Sequence, residues 1–280
     1  MIKLLAIIIG IVIVTVPVCI NGRALAVVIP SKPVGAEGSP AEMTTQTTPH
    51  IPDNQDANIE KIRHASVSIV MLSPVLQNET TYITCIGQGI GTLIEYRGEI
   101  LLVTHNHWGG VLQDATIIEF LDADNRLLTR ILGSLWKSLV VYQDNGAQIL
   151  RPPEGLVSAD HLTPAGLPAS ITVEPGEFVF VAHLENPERV KIAILSAKVV
   201  EITTQRGIPV YKLRTLDGQT IQTGDSGGGI WHDGVLVGNN WSVLMKPAGE
   251  TQALSGNGDD GLVFTDLSYA AQLPPFTNLR

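Results

Sequence analysis

From residue 66 nearly to its end, the chain reads as one short apolar segment after another, each closed by a turn signal. "SVSIVML" (66–72), "TYITCIG" (81–87), "GTLIEY" (91–96) and "EILLVT" (99–104) follow one another with only polar or glycine breaks. "ATIIEFL", "RLLTRIL" and "SLVVYQ" continue the series. After a stretch rich in proline and glycine, "RPPEGLVSADHLTPAGLPAS", a second series begins at "GEFVFVAHL" (176–184) and runs through "RVKIAILSAKVVEI", "IPVYKL", "GVLVGN" and "GLVFTDL". Segments of this length, rich in β-branched residues and bounded by turn formers, are strands. Their number, without helices alternating between them, excludes an α/β fold and implies an all-β sandwich or barrel. No repeat of fixed period is present. The one helix the pattern suggests is short, at "SYAAQL" (268–273).

The N-terminal fifth reads differently. Lys3, the apolar run from Leu4 to Ile20 and the small residues Ala24-Leu25-Ala26 form an export signal over residues 1–26. The apolar run is just short of a comfortable membrane span, so retention as an anchor is the alternative to cleavage. Residues 27–58, rich in Pro, Thr, Ser and Gly without apolar periodicity, form a flexible spacer or pro-segment. The folded domain is expected over 59–276. Removal of 1–26 would leave Cys85 as a lone cysteine in an apolar setting, a core residue without an intramolecular disulfide. The formal net charge is −9 and no block of Lys or Arg occurs. That excludes nucleic acid and anionic lipid surfaces as partners, because both require a basic footprint.

Within the second series stands "IQTGDSGGGIW", a serine among glycines and beside an aspartate. Glycines alone mark a turn. Yet a small residue at Gly224 also lets its N–H and that of Ser226 converge on one oxygen, as an oxyanion hole requires. A serine nucleophile needs a histidine base, and the histidine a carboxylate. "GDSGG" also fits the nucleophile elbow of α/β-hydrolases, where histidine follows serine. Here the only later histidine is His232, in the hairpin turn "WHDGVL", so that reading fails.

Upstream, "LLVTHNHWGG" (101–110) closes an apolar strand with two histidines. At this point the sequence resembles the trypsin/chymotrypsin family of serine peptidases, whose strand ends in T-A-A-H. His107 takes the position of the family's histidine, with His105 and Asn106 in place of the alanines. His105 reads as a polar strand-end residue, and no acidic or cysteine ligand at useful spacing makes the pair a metal site. Asp144, in "VVYQDNGAQIL", resembles the family's D-x-A-L-L segment with one extra residue and Gln148 as departures. Asp122 and Asp124, in "LDADNR", read as a solvated turn. "GGGIWHDGVLVGNNWSV" resembles the hairpin after the nucleophile, and the likeness extends over residues 60–275.

The resemblance implies two antiparallel six-stranded β-barrels, about 60–160 and 165–275, with a short C-terminal helix and the active site between the barrels. His107, Asp144 and Ser226 would be the catalytic triad of a secreted serine endopeptidase, with Gly224 and Ser226 as oxyanion hole. Thr220 would lie at the base of the primary pocket, favouring small or medium apolar P1 side chains unless Asp259 or Asp260 enters it. Asn240, Trp241 and Ser242 would line the substrate groove. Partners are protein or peptide substrates; no cofactor and no metal are expected, and a membrane only if residues 4–20 stay as an anchor. The alternative is a binding or scaffold protein on the same fold that has lost catalysis. Asp225 would be buried beside the nucleophile. In many relatives a new N-terminus pairs with it, but no I/V-V-G-G sequence occurs here. An internal cation or a set of hydrogen-bond donors is expected to hold Asp225 instead, without N-terminal processing.

Overall fold

The computed structural model describes residues 19–20, 23–24, 55–77, 80–108, 112–167, 173–186, 191–216, 218–247, 262–274 and 276. The expected export signal lies outside these residues apart from Cys19–Ile20 (β1) and Arg23–Ala24 (β2), which form a two-residue antiparallel pair. The spacer lies outside them up to residue 54.

The chain then forms an unexpected helix, Gln55–Ala65 (α1). The first strands are Ser66–Gln77 (β3), Thr80–Tyr96 (β4), Glu99–Thr104 (β5), Ile117–Leu121 (β6) and Leu127–Leu132 (β7). A helix at Gly133–Leu139 (α2) leads to Val140–Gln143 (β8), Gln148–Leu150 (β9) and Ala165–Gly166 (β10). The second series is Phe178–Asn186 (β11), Lys191–Gln205 (β12), Ile208–Thr215 (β13), Gly229–His232 (β14), Val235–Pro247 (β15) and Leu262–Gln272 (β16).

The second series closes into the expected six-stranded barrel, in the order β11-β12-β13-β16-β15-β14. The first forms an eight-stranded sheet rather than six strands: β7-β6-β3-β4-β5-β9-β8, with β10 added in parallel on β4. Its two edges, β7 and β8, are consecutive in the chain and joined by α2. The sheet therefore curls until only a short helix, about 10 Å long, separates its edges. Three tight hairpins carry left-handed X-Gly pairs, the geometry whose twist matches that of the flanking strands: Arg97-Gly98, Arg206-Gly207 and Asp233-Gly234.

The expected C-terminal helix at 268–273 is instead strand. β16 pairs with β13 through Leu213↔Ser268 and with β15 through Asn240↔Ala270. Hydrogen bonding on both sides outweighs the helix preference of two alanines. Ser268 and Ala270 are buried, and Ala270 belongs to the barrel's apolar cluster.

Three apolar clusters organise the molecule. One fills the curled sheet, with Val67, Ile69, Leu93, Leu102, Phe120 and Trp136. A second fills the closed barrel, with Val179, Val181, Leu195, Leu213, Ile230 and Ala270. The third lies between the two units, joining Ile90, Ile94 and Val103 of the first to Ala182, Leu184, Trp231 and Leu236 of the second. α1 caps this seam. Ile62 is fully buried in it, Lys61 Nζ donates to Gly234 O (2.7 Å), and Arg63 reaches both Ile192 O (2.9 Å) and Asp124 (2.6 Å). Cys85 is buried and disulfide-bonded. This departs from its reading as a lone thiol, an expectation that discards the chain's other cysteine, Cys19, with residues 1–26. Among the described residues, no helix is long and apolar enough to cross a membrane.

Candidate active site

The end of β5 and the loop between β13 and β14 meet across the seam. There His107 Nε2 lies 3.2 Å from Ser226 Oγ, within hydrogen-bond reach. Glycines make the approach possible. The Ser226 carbonyl accepts the Ile90 amide of β4 at 2.9 Å, tying the serine loop of one unit to a strand of the other. Gly227 follows with φ +85°; a Cβ there would stand 2.1 Å from Ile90 O and 2.9 Å from the His105 amide nitrogen. At Gly228 a Cβ would fall 2.1 Å from Ala182 O. No side chain fits either position, so the glycines after Ser226 are steric requirements of the seam.

The backbone around the serine is equally ordered. The amides of Asp225, Gly227 and Gly228 donate to Gln222 O, Asn240 O and Asp225 O at 3.1, 2.7 and 3.0 Å. Among the described residues, the amides of Gly224 and Ser226 donate to no protein acceptor. Gly224 has φ +105°, and the Gln88 side chain packs over it: a Cβ would lie 2.6 Å from Gln88 Nε2. Nothing in the sequence beyond the G-x-G spacing of 87–89 pointed to Gln88.

Asp225 is buried. Its Oδ1 accepts the Leu184 amide and its Oδ2 the Gln222 amide, both at 2.7 Å. These two amides are the donors that the sequence leaves unnamed. Burial pushes its carboxyl up to about 7, against the two backbone bonds, which pull it down.

Asp144 sits in the loop between β8 and β9, tied to the histidine loop because Asn106 Nδ2 donates to its backbone carbonyl. Its carboxylate, however, turns into its own loop. Oδ1 accepts the amides of Gly146 (2.7 Å) and Ala147 (2.8 Å), and Oδ2 accepts the Tyr142 hydroxyl (2.9 Å). The Tyr142 pKa is raised by burial and then by that carboxylate. Among the described residues no hydrogen bond joins His107 to a carboxylate. Burial alone lowers the His107 pKa from its ordinary value, with no anion opposing it. Asp122 is not a solvated turn residue: it is buried, caps its loop through the Asp124 and Arg126 amides, and lies 3.1 Å from His161.

His105, expected as a polar strand end, is also buried. Its Nδ1 accepts the His107 amide at 3.2 Å, and its ring lies 4.3 Å from that of His107 and 3.9 Å from that of Trp108. Burial, and then the neighbouring His107 charge, hold its pKa well below the ordinary value.

Of the residues expected to meet substrate, Asn240 runs beside the serine loop, its amide donating to Gly228 O at 2.8 Å. Its side-chain amide is buried without a hydrogen-bond partner. Trp241 is half-buried and reaches back across the seam, Nε1 donating to Asn145 O at 3.0 Å; Ser242 is exposed. Thr220 is half-buried, with Gln222 Nε2 at 3.5 Å from its hydroxyl. Asp259 and Asp260 lie outside the described residues.

No family model matches the chain, and no curated protein does. Among solved structures, the active form of the Rv3671c protease from M. tuberculosis is similar, with a TM-score of 0.50 and 15% identity. The match covers 85% of this chain and 92% of that one. At such identity the likeness shows the fold. The fold class is mostly β, with a closed barrel packed against a second sheet, similar to the chymotrypsin-like protease fold.

Proposed function

We propose that this chain is a serine endopeptidase that cleaves protein or peptide substrates through an acyl-enzyme on Ser226, with His107 as base. The observation that carries the reading is the 3.2 Å approach of His107 Nε2 to Ser226 Oγ, made across two units by a loop in which Gly227 and Gly228 leave no room for a Cβ. His107 Nε2 takes the hydroxyl proton as Oγ attacks the scissile carbonyl carbon. The amides of Gly224 and Ser226 receive the oxyanion. The C–N bond then breaks, and the leaving amine takes the proton from Nε2. Water, deprotonated by His107, hydrolyses the ester and restores Ser226. A histidine with a lowered pKa is neutral, and so competent as base, down to a lower pH than a free imidazole. Thr220, Asn240, Trp241 and Ser242 are proposed as the substrate-facing residues.

Export to an oxidising compartment, as a secreted or anchored protein, is part of the proposal. Disulfides persist in such compartments, and the bond at Cys85 accords with the anchored form, which keeps Cys19. One observation favours the second reading, a catalytically inactive binding protein: His107 has no carboxylate partner among the described residues. A fluorophosphonate probe separates the two. An enzyme labels at Ser226, Ser226→Ala abolishes labelling, and His107→Ala slows it by orders of magnitude. A wild-type chain that stays unlabelled while folded overturns the enzymatic reading.

A further inference from the structure

We propose that His105 is the positioning residue for His107, holding the ring against Ser226 in the part that the family resemblance gives to Asp144. The inference deepens the proposed function and rests on its assignment of Ser226 and His107 as nucleophile and base.

A base that must meet a serine hydroxyl needs its ring fixed in direction and in tautomer. Among the described residues His107 receives no carboxylate for this, and the Asp144 carboxylate accepts from Gly146, Ala147 and Tyr142 instead. What it does receive is a stack of rings rooted in the core. Trp136, fully buried, meets Trp108 edge-on at 5.6 Å; Trp108 lies against His105 at 3.9 Å, and His105 against His107 at 4.3 Å. The outermost ring of this column is the one that faces Ser226 Oγ.

His105 also grips the backbone of the residue it supports. The His107 amide donates to its Nδ1, so the ring carries its proton on Nε2. That Nε2 is buried and has no hydrogen-bond partner, a cost that a merely space-filling residue would not bring. The ring fits there because Gly89 has no side chain. A Cβ at Gly89 would stand 2.8 Å from His105 Nε2, 2.7 Å from Trp108 Cη2 and 2.9 Å from Ser226 O. Gly89 thus admits the His105 ring to a slot bounded by the nucleophile's own carbonyl. Burial keeps His105 neutral. It therefore keeps the lone pair that holds the His107 amide, and it does not compete for the proton His107 takes.

The test uses the full chain, with fluorophosphonate inactivation resolved into probe affinity and limiting rate across the neutral pH range. The His107 imidazole titration is followed separately by NMR. His105→Ala is expected to lower the limiting rate by about 10²-fold, the scale of a small misplacement of a catalytic group, with probe affinity unchanged. The His107 titration midpoint should rise toward that of a free imidazole as the ring leaves the column. His105→Asn places an oxygen acceptor near the position of Nδ1 and should restore part of the rate. Gly89→Ala should reproduce the defect with His105 intact. A limiting rate within about threefold of wild type in both His105→Ala and Gly89→Ala, with the His107 midpoint unmoved, overturns the proposal. If His105→Ala fails to fold, Gly89→Ala and His105→Asn decide by the same readouts. If wild type itself is not labelled, the peptidase reading fails, and the NMR titration alone decides the role of His105: an unmoved midpoint overturns it, a raised one upholds it.

Discussion

Asp144 holds its own loop, and that makes a specific prediction. Asn at this position keeps the Oδ1 acceptor for Gly146 and Ala147 and puts an NH₂ where Tyr142 donates. Asp144→Asn should therefore cost about 1 kcal/mol of stability, one modest hydrogen bond, and change the labelling rate by less than about tenfold. A loss on the order of 10⁴, as when a carboxylate fixes the base's tautomer, would place Asp144 on His107 instead. Titration supplies a second prediction. His105, His107 and His183 all have lowered pKa values, His183 to about 4, chiefly through burial. The unfolded chain therefore binds more protons than the folded one below the ordinary histidine value of about 6.5, and these groups lower stability as pH falls through that window. Asp225, raised to about 7, has the opposite sign: its folded carboxyl holds a proton that the unfolded one has lost, so its contribution falls as pH rises from about 4 to 7. His183→Gln should flatten the acid side of a melting-temperature profile between about pH 4 and 6.5. A steeper acid side in that variant would reject the assignment.

At the scale of elements, the strands were legible because their pattern is local: apolar runs bounded by X-Gly turns name β5, β11 and the β14–β15 hairpin directly. What failed was decided at a distance. The alanines of β16 look helical alone, and only pairing with β13 and β15 makes them strand. α2 is hidden because "SLWKSL" lies between two strand-like runs, and its role is to plug the gap between sheet edges. Trp136 is the plug: fully buried, stacked on Phe120 at 6.1 Å, its Nε1 donating to Gln148 Oε1 at 2.9 Å. The Gln148 that departs from the family's pattern is thus the partner of a buried tryptophan. Trp136→Phe should cost about 1–3 kcal/mol, from a small cavity and an orphaned Gln148. Urea unfolding measures this, and an unchanged midpoint would show that α2 carries no weight in closing the sheet. The same distance argument explains the site. That Ser226 and His107 come together was legible from motif and chain order, whereas the burial of His105 depends on Gly89, on another strand.

For the whole molecule, the arrangement that puts His107 beside Ser226 is a property of the seam, since each unit supplies one partner. The seam cluster draws on both units, and α1 spans it with Lys61 on Gly234 O and Arg63 on Ile192 O and Asp124. The exposed Arg63–Asp124 pair contributes little by itself, because solvent screens it. The weight falls on Ile62, which has no exposed surface and packs into the seam. Ile62→Ala should cost about 2–5 kcal/mol, the transfer loss plus the cavity left behind. Loosening the seam is expected to separate His107 from Ser226 before either unit's own core gives way. Serine-probe labelling should therefore be lost at a lower urea concentration than circular dichroism in Ile62→Ala, while the two midpoints coincide in wild type. Coincident midpoints in the variant as well would mean that the two units unfold as one body, and that α1 stabilises the whole chain rather than the seam.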